Sequence, residues 1–142
     1  MNAGGSEQLL FTVYSPERKL LAKHPVQSVV LTGSEGQIQV LSGHENMLGT
    51  LETGRFEYVL VGGESVHGAV SVGFYEIKDN HLTVVAETLE LAKEIDPSRA
   101  KNAQAKAEAI LKDANIDEQT FRKYELKLQR ALIRQHISSG TH

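Results

Sequence analysis

The chain of 142 residues contains no cysteine. That excludes a disulfide framework, a thiolate nucleophile and a thiolate metal site, and it fits a reducing compartment. No apolar run approaches the ~18 residues of a membrane span. No basic stretch followed by an apolar core opens the chain, so no secretory signal is expected. Internal repeats and low-complexity segments are also missing. The six histidines (His24, His44, His67, His81, His136 and His142) lack metal-ligand spacing. Gly62-Gly63 is not followed by Gly-Lys-Ser/Thr and a helix, so it is no phosphate loop. No nucleophile stands at a suggestive distance from a base. His44-Glu45 is an isolated pair in a glycine-flanked loop and reads as a turn. The sequence therefore predicts no enzyme.

What is there divides into two unlike parts. Residues 1–97 carry six Lys/Arg against thirteen Asp/Glu, a net −7, and residues 98–142 carry nine against five, a net +4. An acidic body with a basic arm presents opposite fields at its two ends. The arm calls for an acidic partner, an anionic ligand or nucleic acid, unless it is an ordinary solvated helix pair.

Short strands at sandwich or barrel spacing are expected between residues 9 and 86. They are Leu9 to Tyr14, Val26 to Leu31, Gln37 to Leu41, Phe56 to Val61, Val66 to Val72, Tyr75 to Ile77 and His81 to Ala86. Gly62-Gly63 and Asp79-Asn80 mark hairpin turns that tolerate positive φ. No strand is expected to be long. Parallel pairing needs helical crossovers, and no helix fits between these strands.

From Pro97 the period changes to that of a helix. Asp96 reads as the N-cap and Pro97 as the first helical residue, because the carboxylate accepts from free N–H groups and proline has none to leave unpaired. Ala100, Ala103, Ala107, Ile110, Leu111 and Ala114 share one face. Asp117 caps a second helix, with Ile116 and Phe121 at the positions of a hydrophobic staple. Phe121, Tyr124, Leu128, Ala131 and Leu132 form its apolar stripe, down to about Ile137. So short a connection packs the helices antiparallel. A largely alanine seam buries little area at ~25 cal/mol per Å², so the hairpin is expected to open, or to leave the strand domain, at low cost.

Arg99 falls in the first helical turn, where a cation opposes the helix dipole. Arg130 and Arg134 lie four apart on the second helix and share a face. An antiparallel hairpin centred near residues 115–116 brings all three guanidiniums together at its open end. Two unit charges ~6 Å apart repel by roughly 2–3 kcal/mol at an effective dielectric of 20. A bound polyanion turns that repulsion into charge-assisted hydrogen bonds. Glu90 and Asp96 lie close enough to meet a donor-bearing part of the same ligand. The bland alternative is a set of surface arginines paired with Glu94 or with water.

The order of strands, then Ile95-Asp96-Pro97-Ser98-Arg99-Ala100, then a basic hairpin resembles the epsilon subunits of the F-type ATP synthases over about residues 7–137. Gly36-Gln37-Ile38-Gln39-Val40-Leu41-Ser42-Gly43-His44 matches that family's segment ending in Pro-Gly-His. Leu51, Gly54, Gly73-Phe74 and Val84-Val85-Ala86-Glu87 follow in order. Ser42 stands where the family usually has proline, and Val72 where it often has glycine.

The resemblance implies an α+β chain: a flexible tail (1–8), an antiparallel β-sandwich of about ten short strands (9–90), a hinge (91–96), an antiparallel two-helix hairpin (97–138) and a tail (139–142). It implies a non-catalytic rotor-stalk subunit that couples the catalytic head to the membrane ring of a proton-translocating synthase. The sandwich would bind the gamma subunit and the c-ring. The hairpin would fold on the sandwich or extend into the alpha/beta catalytic head and inhibit ATP hydrolysis. No cofactor is obligatory. In some bacterial members the folded hairpin binds ATP as a regulatory ligand, and the positions matching that site are Glu90, Ile95, Asp96, Arg99, Ala100, Arg130 and Arg134. Membrane association would be peripheral, through the complex, on the cytoplasmic face of the bacterial inner membrane. The other reading of the basic hairpin is a stand-alone anion- or nucleic-acid-binding module. Its helices carry few aromatics on which bases would stack.

Overall fold

The computed structural model describes residues 7–138. Nine strands come first: β1 (Leu9–Ser15), β2 (Arg18–Gly33), β3 (Gly36–Leu41), β4 (Met47–Leu51), β5 (Gly54–Leu60), β6 (Ser65–Val70), β7 (Gly73–Lys78), β8 (His81–Ala86) and β9 (Leu89–Leu91). A 3₁₀ turn over Ala92–Glu94 leads to helices α1 (Pro97–Leu111) and α2 (Glu118–Ser138).

The strands follow one hydrogen-bonded path, β1-β8-β7-β4-β2-β5-β6-β9, with β3 also on β2 and β1 also on β2. Alternating burial along β1, β5 and β8 turns every second side chain inward, as a half-buried strand requires. Phe11, Val13, Tyr75, Ile77, Leu82 and Val84 meet Val29, Leu31, Val40, Phe56, Tyr58 and Val70 in a single apolar core.

The strand reading differs from the structure in three ways. β2 runs for 16 residues, not six. Its first half pairs with β1 alone, and its second half pairs with β3 and β5. Pro25 is tolerated because that first half has a free edge, where a missing N–H breaks no ladder. β4 and β9 were not anticipated. β4 hides its alternation behind Leu48, which is exposed, and β9 is only three residues long. Finally, β1 and β8 pair in parallel, from Leu10 beside His81 to Tyr14 beside Val85. No crossover helix is needed, because the rest of the sandwich forms the connection.

The turn residues behave as their chemistry requires. Asp79 and Asn80 adopt φ of 50° and 67°, and Gly63 adopts 98°. The expected tail is partly tied down: Ser42 Oγ donates to the Glu7 carbonyl (2.6 Å) and Asn80 Nδ2 to the Gln8 carbonyl (3.2 Å). Asn80 Nδ2 also donates to Ser42 Oγ (3.2 Å), so Ser42 ties this loop to the start of the chain's described part. The remainder of both expected tails, residues 1–6 and 139–142, lies outside the described residues.

Asp96 caps α1 by accepting from Ser98 N (2.9 Å) and Arg99 N (3.4 Å), and Asp117 caps α2 through Thr120 N (2.7 Å). The seam is narrower than the apolar stripes suggest. Ala100, Ala107 and Ala131 are buried, whereas Phe121 and Leu132 are exposed and Ala114 lies on the surface. Alanines bring the helices close, and side chains wider than the seam are left at its margins. Gln135 Nε2 donates to Gln104 Oε1 across the pair (2.6 Å). The hairpin meets the sandwich through a small separate cluster in which Ile137, Ile95 and Ala69 are buried and Ile133 and Ala92 are half-buried. Burying two isoleucines is worth about 1.5–3 kcal/mol each, which makes this a light attachment.

Candidate anion-binding cleft

The open end of the hairpin faces the sandwich across a cleft of about 670 Å³. α1 supplies Arg99 from its first turn, and α2 supplies Arg130 and Arg134. The antiparallel geometry thus brings together the three arginines singled out from spacing. The opposite wall comes from the β1–β2 turn (Ser15, Glu17, Arg18), from Thr88, Leu89 and Glu90 at β9, and from Glu94 in the 3₁₀ turn. A second cavity of about 220 Å³, backed by Ala103, Ala107 and Ala131, adjoins at Arg130 and Arg134.

The charges in the cleft are unequally committed. Arg134 grips Glu90 with two bonds, Nε to Oε1 at 2.7 Å and Nη2 to Oε2 at 3.3 Å. Glu90 is therefore engaged by the protein itself, while it still lines the cleft. Glu94 pairs with Arg18 at 2.8 Å, not with any of the three hairpin arginines. Among the described residues Arg99 and Arg130 have no carboxylate within ion-pair distance. These two are the uncompensated cations of the site. Guanidinium presents a planar fork of donors that matches phosphate and carboxylate oxygens.

The other expected site residues play supporting parts. Ile95 packs against Ala69 and Ile137, Ala100 is buried in the helix seam, and Asp96 Oδ1 is committed to the cap. None of the three lines the cleft. Arg18 and Glu17 were missed. Arg18 and Glu94 lie 76 residues apart, and no local pattern announces such a pair.

The Arg18 guanidinium, followed by the Leu91 backbone N–H, holds the Glu94 carboxyl below the usual carboxylate range. A depressed folded value means that the contribution to stability is fully present above the ordinary glutamate value of about 4.3. It is lost as the pH falls through the folded value. In a carboxyl NMR titration Glu94 should therefore titrate below free glutamate, and Arg18→Gln should move it back up. Titration at the ordinary value in the unaltered chain would show that the pair does not form in solution.

Among the described residues no helix is long and apolar enough to cross a membrane. The family model described as the ATP synthase delta/epsilon chain β-sandwich domain matches residues 8–92, and that for the long α-helix domain of the same chains matches residues 93–138. The ATP synthase epsilon chain of Geobacter metallireducens is 38% identical over 133 residues, covering 94% of this chain and 95% of the relative. That of Symbiobacterium thermophilum is 38% identical over 125 residues, covering 87% of each. A chain in the cryo-EM structure of the Euglena gracilis mitochondrial ATP synthase (OSCP/F1/c-ring) superposes with a TM-score of 0.77 at 25% identity, over 95% of this chain and 82% of that one. A chain of the Tetrahymena thermophila mitochondrial ATP synthase central stalk and c-ring shares the fold, with a TM-score of 0.61 at 14% identity over 96% and 98% of the two. Matched through both domains and nearly end to end, the chain belongs to the epsilon-chain family of the ATP synthases.

Proposed function

We propose that this non-catalytic epsilon chain works in the central stalk as a sensor of ATP as well as a rotor part. The sandwich binds the gamma subunit and the c-ring of a proton-translocating complex, at the cytoplasmic face of the bacterial inner membrane. The basic hairpin is the inhibitory element: released from the sandwich, it meets acidic surfaces of the alpha/beta head and blocks hydrolysis. Folded, it holds ATP in the cleft.

The observation that carries this reading is the pair of uncompensated guanidiniums, Arg99 and Arg130, facing a wall built by the sandwich. A polyphosphate there neutralises both and ties the two domains together. If only the folded state binds, ATP at a hundredfold excess over Kd stabilises that state by about 2.7 kcal/mol. That is comparable to burying one of the isoleucines that dock the hairpin. The arginines converge on a cleft among carboxylates and form no open stripe, which argues against duplex binding.

Calorimetric titration of the chain with ATP, and with GTP as control, tests the proposal. Saturable one-to-one binding of ATP, much weaker for GTP, is expected. Absence of heat at millimolar ATP, confirmed by an unshifted melting temperature, would remove ATP sensing and leave the family assignment in place.

A further inference from the structure

The cleft holds a fourth guanidinium, from the sandwich side. Arg18 opens β2, next to the tight β1–β2 turn, and reaches Glu94 with Nη1 at 2.8 Å. Its commitment is slight. Guanidinium carries five N–H donors in a fixed fork, and one of them is used on Glu94. The side chain keeps 36% of its surface exposed, against 19% for Arg134, which is gripped through two bonds. Nor does Glu94 depend on Arg18 alone, since its Oε1 also accepts from Leu91 N at 2.9 Å. That backbone bond holds the carboxylate in the 3₁₀ turn whether or not Arg18 stays.

Resting on the reading of the cleft as a nucleotide site, we propose that Arg18 is a binding residue for the polyphosphate chain, donating to phosphate oxygen from the sandwich wall opposite Arg99 and Arg130. The consequence is mechanical. Arg99 and Arg130 belong to the hairpin and Arg18 to the sandwich, so a ligand held by all three is bound fully only when the two domains are docked. Affinity then reports docking directly, and ligand binding and hairpin folding become one equilibrium.

The test uses the full chain titrated with ATP and, separately, with inorganic tripolyphosphate. Arg18→Gln should weaken both by about tenfold, the loss of one charge-assisted bond, and Arg18→Lys should recover part of that. Glu94→Gln removes a negative charge from the cleft and releases Arg18, so it should bind both at least as tightly as the unaltered chain. A merely structural bridge predicts otherwise: Arg18→Gln and Glu94→Gln would then weaken binding alike. Equal weakening, or unaltered affinity in Arg18→Gln, overturns the proposal while leaving the ATP site standing. Failure of the unaltered chain to bind either probe overturns both. Circular dichroism of each variant confirms that the fold is retained, and the two substitutions at Arg18 keep the comparison open if one of them destabilises the turn.

Discussion

Replacing Arg99 and Arg130 together by glutamine should abolish measurable ATP binding and leave the free protein as stable as before. Hydrogen bonds to charged groups are each worth about 1.5–3 kcal/mol. Losing one from each arginine costs about 3–6 kcal/mol, a factor of roughly 10² to 10⁴ in Kd. The unchanged stability follows from the charge pattern. Neither arginine has an ion-pair partner among the described residues, so no carboxylate is stranded. Arg99 also opposes the dipole of α1, and its removal relieves both that and the repulsion from Arg130. Thermal melts should therefore give an equal or higher melting temperature without ligand and no upward shift with ATP. Arg134 is a poorer choice for this test. Its loss leaves Glu90, part-buried and held by two bonds, without its partner, and weakened hairpin docking would be confused with lost ligand contacts. If the double variant still shifts its melting temperature with ATP, the nucleotide binds elsewhere.

The features readable from sequence were those fixed within a few residues. Asp96 and Pro97 announce a helix start because capping is a matter of two or three backbone N–H groups. Asp79-Asn80 and Gly62-Gly63 announce turns because positive φ selects for their types. The meeting of Arg99 with Arg130 and Arg134 was legible too, since an antiparallel hairpin with a short connection leaves little choice of register. What stayed hidden depends on the whole chain. The length of β2 is set by having β1 as its only partner over the first half, and the parallel β1–β8 pair joins segments at opposite ends of the sandwich. The stripe on α2 was drawn too wide. Phe121 and Leu132 have helical spacing but stay exposed, because an alanine seam is too shallow to cover them. The expectation that Glu90 faces the ligand missed its grip on Arg134, and Arg18 was invisible because only the folded turn brings it to Glu94.

Deleting residues 97–142 should raise ATP hydrolysis by the assembled synthase severalfold while leaving the subunit in the complex. The sandwich core is complete without the hairpin. Among the described residues none beyond Leu91 contributes to its main buried cluster, and the hairpin touches the sandwich through a separate patch of Ala69, Ile95 and Ile137 with Ala92 and Ile133. Deletion exposes Ala69 and Ile95 and frees Glu90 from Arg134, changes confined to one outer face and the hinge. Contacts made by the sandwich elsewhere should therefore persist. What is lost is the basic arm, net +4 over residues 98–142, and with it the charge complementarity that would seat it against an acidic head. The weak docking patch matters here. A hairpin docked through this small patch and the Arg134–Glu90 bridge can be released without unfolding the sandwich, and a ligand worth about 2.7 kcal/mol at a hundredfold excess can shift the balance. Hydrolysis assays on reconstituted complexes, with subunit content checked by gel electrophoresis, decide the point. Raised activity with the truncated chain in place assigns inhibition to the hairpin. Unchanged activity with normal subunit content would show that the hairpin does not inhibit, and the arginine cleft would then need a role apart from hydrolysis. High sodium chloride should mimic deletion in part, because the Debye length falls from about 8 Å at physiological ionic strength to about 3 Å at 1 M. An inhibitory contact built on the basic arm weakens as salt rises, whereas one built on apolar packing does not.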